Sequence, residues 1–392
     1  MKSLLFIPGP VAVSEPVLAA MARPMINHRG PEFAKLLGSI VQRMRGVYGT
    51  ASDVIVLGGS GTSGLEAAVA CSFSPGDRVL VCPIGVFGRR FVNIARTYGL
   101  DVDVLDTQPG HAMDPVALSA RLREDRERKF AGILLTHNET STGAQNDMAA
   151  LARAVGDHPA TVIVDAVSGL AASEFRMDEW GFDLVVAASQ KALAAPPGLA
   201  MVAVSARGWE RMERASAPRF YLDLAKAREW AKTGETPWTP PVSVAFALDV
   251  ALDIYDRTGP ANVWARHARY AQALRAAAGA LGLELLSVHG AHSPTVVAIR
   301  VPDGIEGPAV ARTLREKHGV VIGGGQQELK GKIWRFGTMG AISEVDVIGA
   351  LGAFERALRD HGHVSAPGAA TTAALDVFER AADERTLVSA RA

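Results

Sequence analysis

From Val54 to Val204 the chain repeats one unit: a short run of consecutive apolar, mostly β-branched residues, then a longer stretch with helical spacing. The runs are Val54-Ile55-Val56-Leu57, Arg78-Val79-Leu80-Val81-Cys82, Gly132-Ile133-Leu134-Leu135-Thr136, Thr161-Val162-Ile163-Val164-Asp165, Leu184-Val185-Val186-Ala187 and Ala200-Met201-Val202-Ala203-Val204. Helical stretches lie at Ser63 to Ala70, Phe91 to Tyr98 and Met148 to Val155. A strand that is apolar at every position, not at every second one, is buried on both faces. The pattern therefore predicts an α/β fold: a large, mostly parallel sheet with helices on both sides.

After about residue 258 the texture changes. Asn262 to Leu281 is a long Ala- and Arg-rich helical stretch, followed by strand-like segments at Thr295–Val301 and Lys332–Phe336 and a helix from Ser343 to Leu358. This predicts a large unit over residues 1–258, with an N-terminal arm, and a smaller C-terminal α+β unit over 259–392. The tail from Val364 is rich in Ala, Ser and Thr, with a helical run around Leu375–Ala382.

Lys plus Arg and Asp plus Glu both total 41, so the formal net charge is zero, which argues against nucleic acid or an anionic membrane as the main partner. The two cysteines, Cys71 and Cys82, form no CxxC pair and have no cysteine-histidine cluster nearby in sequence, so no metal site is expected. The apolar start Leu4-Leu5-Phe6-Ile7 stops at Pro8-Gly9-Pro10, too short for a signal sequence, and no stretch approaches the roughly 20 apolar residues of a membrane helix. The expected location is the cytoplasm.

Ligands of open α/β sheets sit beyond the carboxyl ends of the strands, and the polar residues of this chain gather there. Gly58-Gly59-Ser60-Gly61-Thr62 lies between a strand and a helix. Its backbone N–H groups suit a phosphate, although it is neither a Walker A loop nor a GxGxxG and a plain turn reads equally well. Asp165 ends its strand at the same edge, where a carboxylate needs a cationic or hydrogen-bonding partner; a helix cap is the alternative. Lys191 follows the run Leu184–Ala187 within Ser189-Gln190-Lys191-Ala192. Most lysines are solvated surface charges. One placed directly after a buried strand is a candidate nucleophile, because its amine is partly desolvated. Arg335, in Ile333-Trp334-Arg335-Phe336, offers a planar fork that matches a carboxylate, or a surface ion pair.

Over roughly residues 4 to 360 the sequence resembles the class V aminotransferases of the pyridoxal-phosphate fold-type I group, and within it the alanine– and serine–glyoxylate aminotransferases. The most specific segment is Ser189-Gln190-Lys191-Ala192-Leu193 with Ala195-Pro196-Pro197-Gly198. Pro8-Gly9-Pro10, His28-Arg29 with Glu32-Phe33, His137-Asn138-Glu139-Thr140 with Thr142-Gly143, and Thr236-Pro237-Trp238-Thr239-Pro240-Pro241 also match, in the family's order. The resemblance implies that Lys191 forms the Schiff base with pyridoxal 5′-phosphate and that Asp165 pairs with its ring nitrogen. It implies that Ser60, Gly61 and Thr62 hold the phosphate, with Gln190 close by. The family often has a histidine where Thr62 stands. Phe87 would stack on the ring where some members have tryptophan, Val167 would pack on its other face, and Thr140 would lie beside it. Thr239, with Thr236 as a further candidate, would reach the phosphate of a second subunit, making the enzyme a homodimer. Arg335 would take the substrate carboxylate, and His28-Arg29 are candidates for the substrate entrance.

The expected activity is transfer of the amino group of a small amino acid, serine or alanine, to glyoxylate, by a ping-pong scheme that gives glycine and hydroxypyruvate or pyruvate. Alternatives are a transaminase of ureidoglycine or an aminophosphonate, a class V lyase, or a non-catalytic cofactor-binding protein. A cysteine-dependent lyase needs its cysteine in the second half of the chain, and both cysteines precede residue 83.

Overall fold

The structure, a computed structural model, describes residues 3–389; Met1, Lys2 and residues 390–392 lie outside it. Its strands are, in chain order, β1 (Leu4–Phe6), β2 (Asp53–Gly59), β3 (Arg78–Cys82), β4 (Asp101–Val104), β5 (Phe130–Thr136), β6 (Asn138–Glu139), β7 (Ala144–Gln145), β8 (Thr161–Asp165), β9 (Leu184–Ala188), β10 (Gly198–Val204), β11 (Val296–Arg300), β12 (Val320–Gly324) and β13 (Ile333–Gly337). Seven form the larger sheet in the order β2-β10-β9-β8-β5-β3-β4.

Side chains along each strand alternate between two faces, and both faces are apolar. Leu80, Cys82, Ile133, Leu135, Val162, Val164, Val185 and Ala187 enter one buried cluster. Their neighbours Val79, Val81, Leu134, Ile163, Leu184 and Val186 enter a second cluster on the opposite face. This is why the strands read as unbroken apolar runs. Truncating one of these residues, as in Leu134→Ala, costs about 2–5 kcal/mol, because the tightly packed layer cannot close the hole.

The sheet is parallel except at β10, which runs antiparallel to both β9 and β2. The reason is the connection. Only Ser189–Pro197 joins β9 to β10, and so short a link reverses the chain, whereas a parallel neighbour needs a helical crossover. The glycine-rich loop expected at residues 58–62 shrinks to a single residue. Strand β2 runs through Gly59, Ser60 caps the next helix, and that helix, Gly61–Ser72, begins at once. Gly59 makes the turn at φ +146°, a backbone conformation that side-chain-bearing residues rarely adopt.

A second sheet, β1-β12-β13-β11, packs with the helices Pro260–Ala280, Gly307–His318, Glu344–Asp360 and Ala369–Ser389 around Phe6, Leu274, Ile299, Trp334, Phe336 and Phe354. The tail is anchored there by Ala370, Ala374, Val377 and Phe378. The expected boundary at 258–259 falls on the turn between the helices Val242–Thr258 and Pro260–Ala280. The smaller sheet also recruits Leu4–Phe6 of the N-terminal arm, which pairs in parallel with Val320–Ile322. Pairing across some 300 residues leaves no local signal in a three-residue strand. From β1 the chain continues past the mouth of the larger sheet, where the Val11 amide N–H donates to the Gln190 carbonyl.

Candidate active site

Every parallel strand of the larger sheet except the edge strand β4 delivers residues to one open cleft of about 260 Å³. Ser60, Gly61 and Thr62 follow β2, Phe87 follows β3, Asn138 and Thr140 follow β5, Val167 and Ser168 follow β8, and Gln190 and Lys191 follow β9. Gly9 and Arg90 complete the wall. Nine of the residues singled out from sequence, Ser60, Gly61, Thr62, Phe87, Thr140, Asp165, Val167, Gln190 and Lys191, therefore share one cavity.

Asp165 is 5% exposed, and the only hydrogen bond its carboxylate accepts among the described residues comes from the Val167 N–H, at 3.0 Å. Burial pushes its pKa up to about 7; the Val167 bond opposes this, nearby Glu139 adds to it, and Arg90 and Lys191 oppose it. Lys191 shifts the other way, down to about 8, chiefly by burial, with Asp165 opposing and Arg335 and Arg90 reinforcing the fall. Its Nζ donates to the Pro8 carbonyl at 2.7 Å. Gly9 is required beside it, since its φ of +121° is one that side-chain-bearing residues rarely adopt and a Cβ there would press on the Lys191 side chain. On the same wall, the Gly61–Ser72 helix presents its N-terminus with no side-chain cap from Ser60, and a Cβ on Gly61 would lie 2.7 Å from Val167.

Arg335 is 6% exposed and stands on β13 of the smaller sheet. Its Nε donates to the Gly324 carbonyl at 2.7 Å and Nη1 to the Thr140 carbonyl at 2.8 Å, so it reaches across to the loop that carries Thr140. Neither Thr236 nor Thr239 lines the cleft. Thr236 Oγ1 donates to the Trp238 carbonyl at 2.8 Å, and Thr239 is exposed. Arg29 is held by Glu235 at 2.6 Å and lies over the Trp230 ring, beside the Thr236–Pro241 segment; neither it nor His28 lines the cleft. No cluster of potential metal ligands is present among the described residues.

Among the residues at the site that were not singled out from the sequence, two matter for its chemistry. Glu139, fully buried, accepts from the Phe87 and Gly88 amides at 3.0 and 2.9 Å and from the Ser141 amide at 3.0 Å, so it sets the loop that carries Phe87. Its burial raises its pKa. Its position next to Thr140 in a motif was visible; its partners, 51 and 52 residues away, were not. Arg90 lies three residues after Phe87, one helical turn on, a spacing that could have revealed it.

Residues 14–337 match the family model "Aminotransferase class-V". A soluble hydrogenase 42 kDa subunit of Anabaena cylindrica is 37% identical, covering 96% of this chain and 99% of that protein. A serine–glyoxylate aminotransferase of Arabidopsis thaliana is 33% identical, covering 94% of each chain. The crystal structure of pyridoxamine–pyruvate aminotransferase from Mesorhizobium loti superposes with a TM-score of 0.92 at 33% identity, covering 97% of this chain and 98% of that one. The chain belongs to the class V aminotransferases. It is an aminotransferase that uses pyridoxal phosphate, and the cleft fits that cofactor: a buried carboxylate short of a cationic partner, an uncapped helix N-terminus and a desolvated lysine amine line the same cavity.

Proposed function

We propose that this enzyme transfers the amino group of a small amino acid, serine or alanine, to glyoxylate. The observation that carries the transfer chemistry is the placing in one cleft of a buried lysine amine and a buried carboxylate with a single hydrogen bond, and the glyoxylate-using relatives support the substrate class. When bound, pyridoxal phosphate carries the amino group between donor and acceptor and accommodates the electron pair left at the donor's α-carbon. Lys191 Nζ takes the proton from that α-carbon and returns one to complete the transfer; an amine near pH 8 is close to balance for both roles. Asp165 holds the proton of the cofactor's ring nitrogen, which supplies the cation its buried carboxylate lacks. Ser60, Gly61, Thr62 and Gln190 would hold the phosphate, Phe87 and Val167 would pack on the ring, and Thr140 would lie beside it. Arg335 binds the substrate carboxylate, with its remaining donors free of acidic partners among the described residues.

The enzyme acts as a homodimer in which Thr239 completes the partner's phosphate site. This is supported by an exposed aromatic platform beside that segment. Phe220 and Tyr221 are 73% and 50% exposed, and Tyr221 stacks on Trp238 with ring centroids 5.6 Å apart. Exposed aromatics of this size mark contact surfaces. A cytoplasmic location is supported by two free, buried cysteines and by the lack, among the described residues, of any helix long and apolar enough to cross a membrane.

The test is a donor panel of serine, alanine, aspartate and ureidoglycine with glyoxylate as acceptor. Serine or alanine is expected to give the highest kcat/KM, with parallel lines in double-reciprocal plots as the ping-pong signature. Failure of every donor to yield glycine would overturn the acceptor assignment.

A further inference from the structure

Arg90 belongs to neither of the roles above, and its surroundings are unusual for a cation. It lies near the start of the Gly88–Thr97 helix, half-buried on the cleft wall. The adjacent Arg89 is exposed and pairs with Asp106 at 2.6 Å. Arg90 forms no ion pair among the described residues. Its one hydrogen bond runs from Nη1 to Thr62 Oγ1, at 2.7 Å, and its guanidinium carbon stands 5.0 Å from the centroid of the Phe87 ring. A guanidinium has five donors, and a half-buried one that spends a single donor on a neutral hydroxyl is poorly compensated.

The hydroxyl it does engage decides where that charge points. Thr62 is the second residue of the Gly61–Ser72 helix, whose Ser60 cap leaves the first amides without a side-chain acceptor. Ser60, Gly61 and Thr62 are all neutral, so the cup they make has helix-end polarity but no formal charge. We infer that Arg90 is the cationic member of this cup and binds the phosphoryl oxygens of the cofactor together with Thr62 and the helix N-terminus. The inference rests on the cofactor assignment above and adds to it a charge-assisted partner, the stronger kind of hydrogen bond to an anion. The competing role is mechanical: a bracket that ties Thr62 to Phe87 and never meets the phosphate.

The two roles separate when binding of pyridoxal phosphate to the apoenzyme is compared with binding of pyridoxal, which lacks the phosphate. Arg90→Met should weaken pyridoxal phosphate roughly 10- to 100-fold while changing pyridoxal less than about threefold, and Arg90→Lys should recover part of the loss. Equal losses for both ligands would leave Arg90 a bracket and overturn the inference. A second measurement needs no variant: native apoenzyme is treated with phenylglyoxal, with and without inorganic phosphate, and the modified arginines are mapped by mass spectrometry. Phosphate should shield Arg90, and undiminished labelling would overturn the inference. If native apoenzyme bound neither pyridoxal compound, the cofactor assignment would fail, and the shielding result would still decide Arg90.

Discussion

The larger sheet holds a buried aspartate at each of its two edges, and they are treated in opposite ways. Asp183, 2% exposed, precedes β9 at the amino edge. It accepts two bonds from Arg207, at 2.7 and 2.5 Å, one from the Val162 amide at 2.8 Å and one from Ser205 at 3.1 Å. Asp165, as deeply buried at the carboxyl edge, has one backbone amide. The first is a satisfied charge that ties a loop to the sheet. The second is a desolvated carboxylate whose stabilising partner has to arrive with the ligand. Binding can make such a shortfall good, and Asp165, Lys191 and Arg90, each with a single hydrogen bond at its charged group among the described residues, line the same cleft.

Substitutions can break this contrast. The largest effect is expected for Lys191→Ala, which should lower transamination by at least roughly 10⁴-fold, because no other side chain lining the cleft can form the covalent link or shuttle the proton. Borohydride trapping and peptide mapping of the native enzyme should place the label on Lys191; label on another lysine rules the assignment out.

Next come the two aspartates. Asp165→Asn should lower kcat by about 10²-fold or more with an unchanged or higher melting temperature, since the amide removes a desolvated charge. Asp183→Asn should do the reverse. Stability falls by about 2 kcal/mol, a figure kept modest because Arg207 is half exposed, while kcat per folded molecule holds. Thermal melts and active-site titration separate the two, and a stability loss at Asp165 with turnover intact would invert the comparison.

Thr239→Val lies outside the edge altogether. It should weaken cofactor retention about tenfold, the worth of one bond to a charged group, and leave the dimer intact in sedimentation. Cofactor retained at full strength by a monomer would remove Thr239 from the site.

The smallest effect is a shift in pH. Capture of pyridoxal phosphate by apoenzyme requires the neutral Lys191 amine, so its rate should rise with pH through a midpoint near about 8. Arg335 holds that value down, so Arg335→Met should move the limb to higher pH. Asp165 pulls it up, so Asp165→Asn should move it lower. Stopped-flow rates across the limb check both signs.

The six apolar runs read from the sequence all became strands of the larger sheet, because a strand buried on both faces must be apolar throughout. Other strands were not legible, and two of them show why. Asp101–Val104, at the sheet's edge, alternates acid and valine and carries half the usual signal. Leu4–Phe6 is three residues long, and its partner lies near Val320. Among site residues, Asp165 and Lys191 stood out because each directly follows a buried run. Glu139 did not, although it is fully buried, because its task is defined by amides of a different loop.

The residue order alone determined the layered architecture, the edge at which chemistry gathers and the class of cofactor, since strand burial, helix starts and the lysine segment are local properties of the chain. Only the tertiary structure decided how charges are shared. That Asp183 is satisfied and Asp165 is not, that Arg335 crosses from the smaller sheet to the Thr140 carbonyl, and that Arg90 meets Thr62 all depend on contacts between segments far apart in sequence. Desolvation and pairing are properties of the packed interior, and no stretch of sequence carries them by itself.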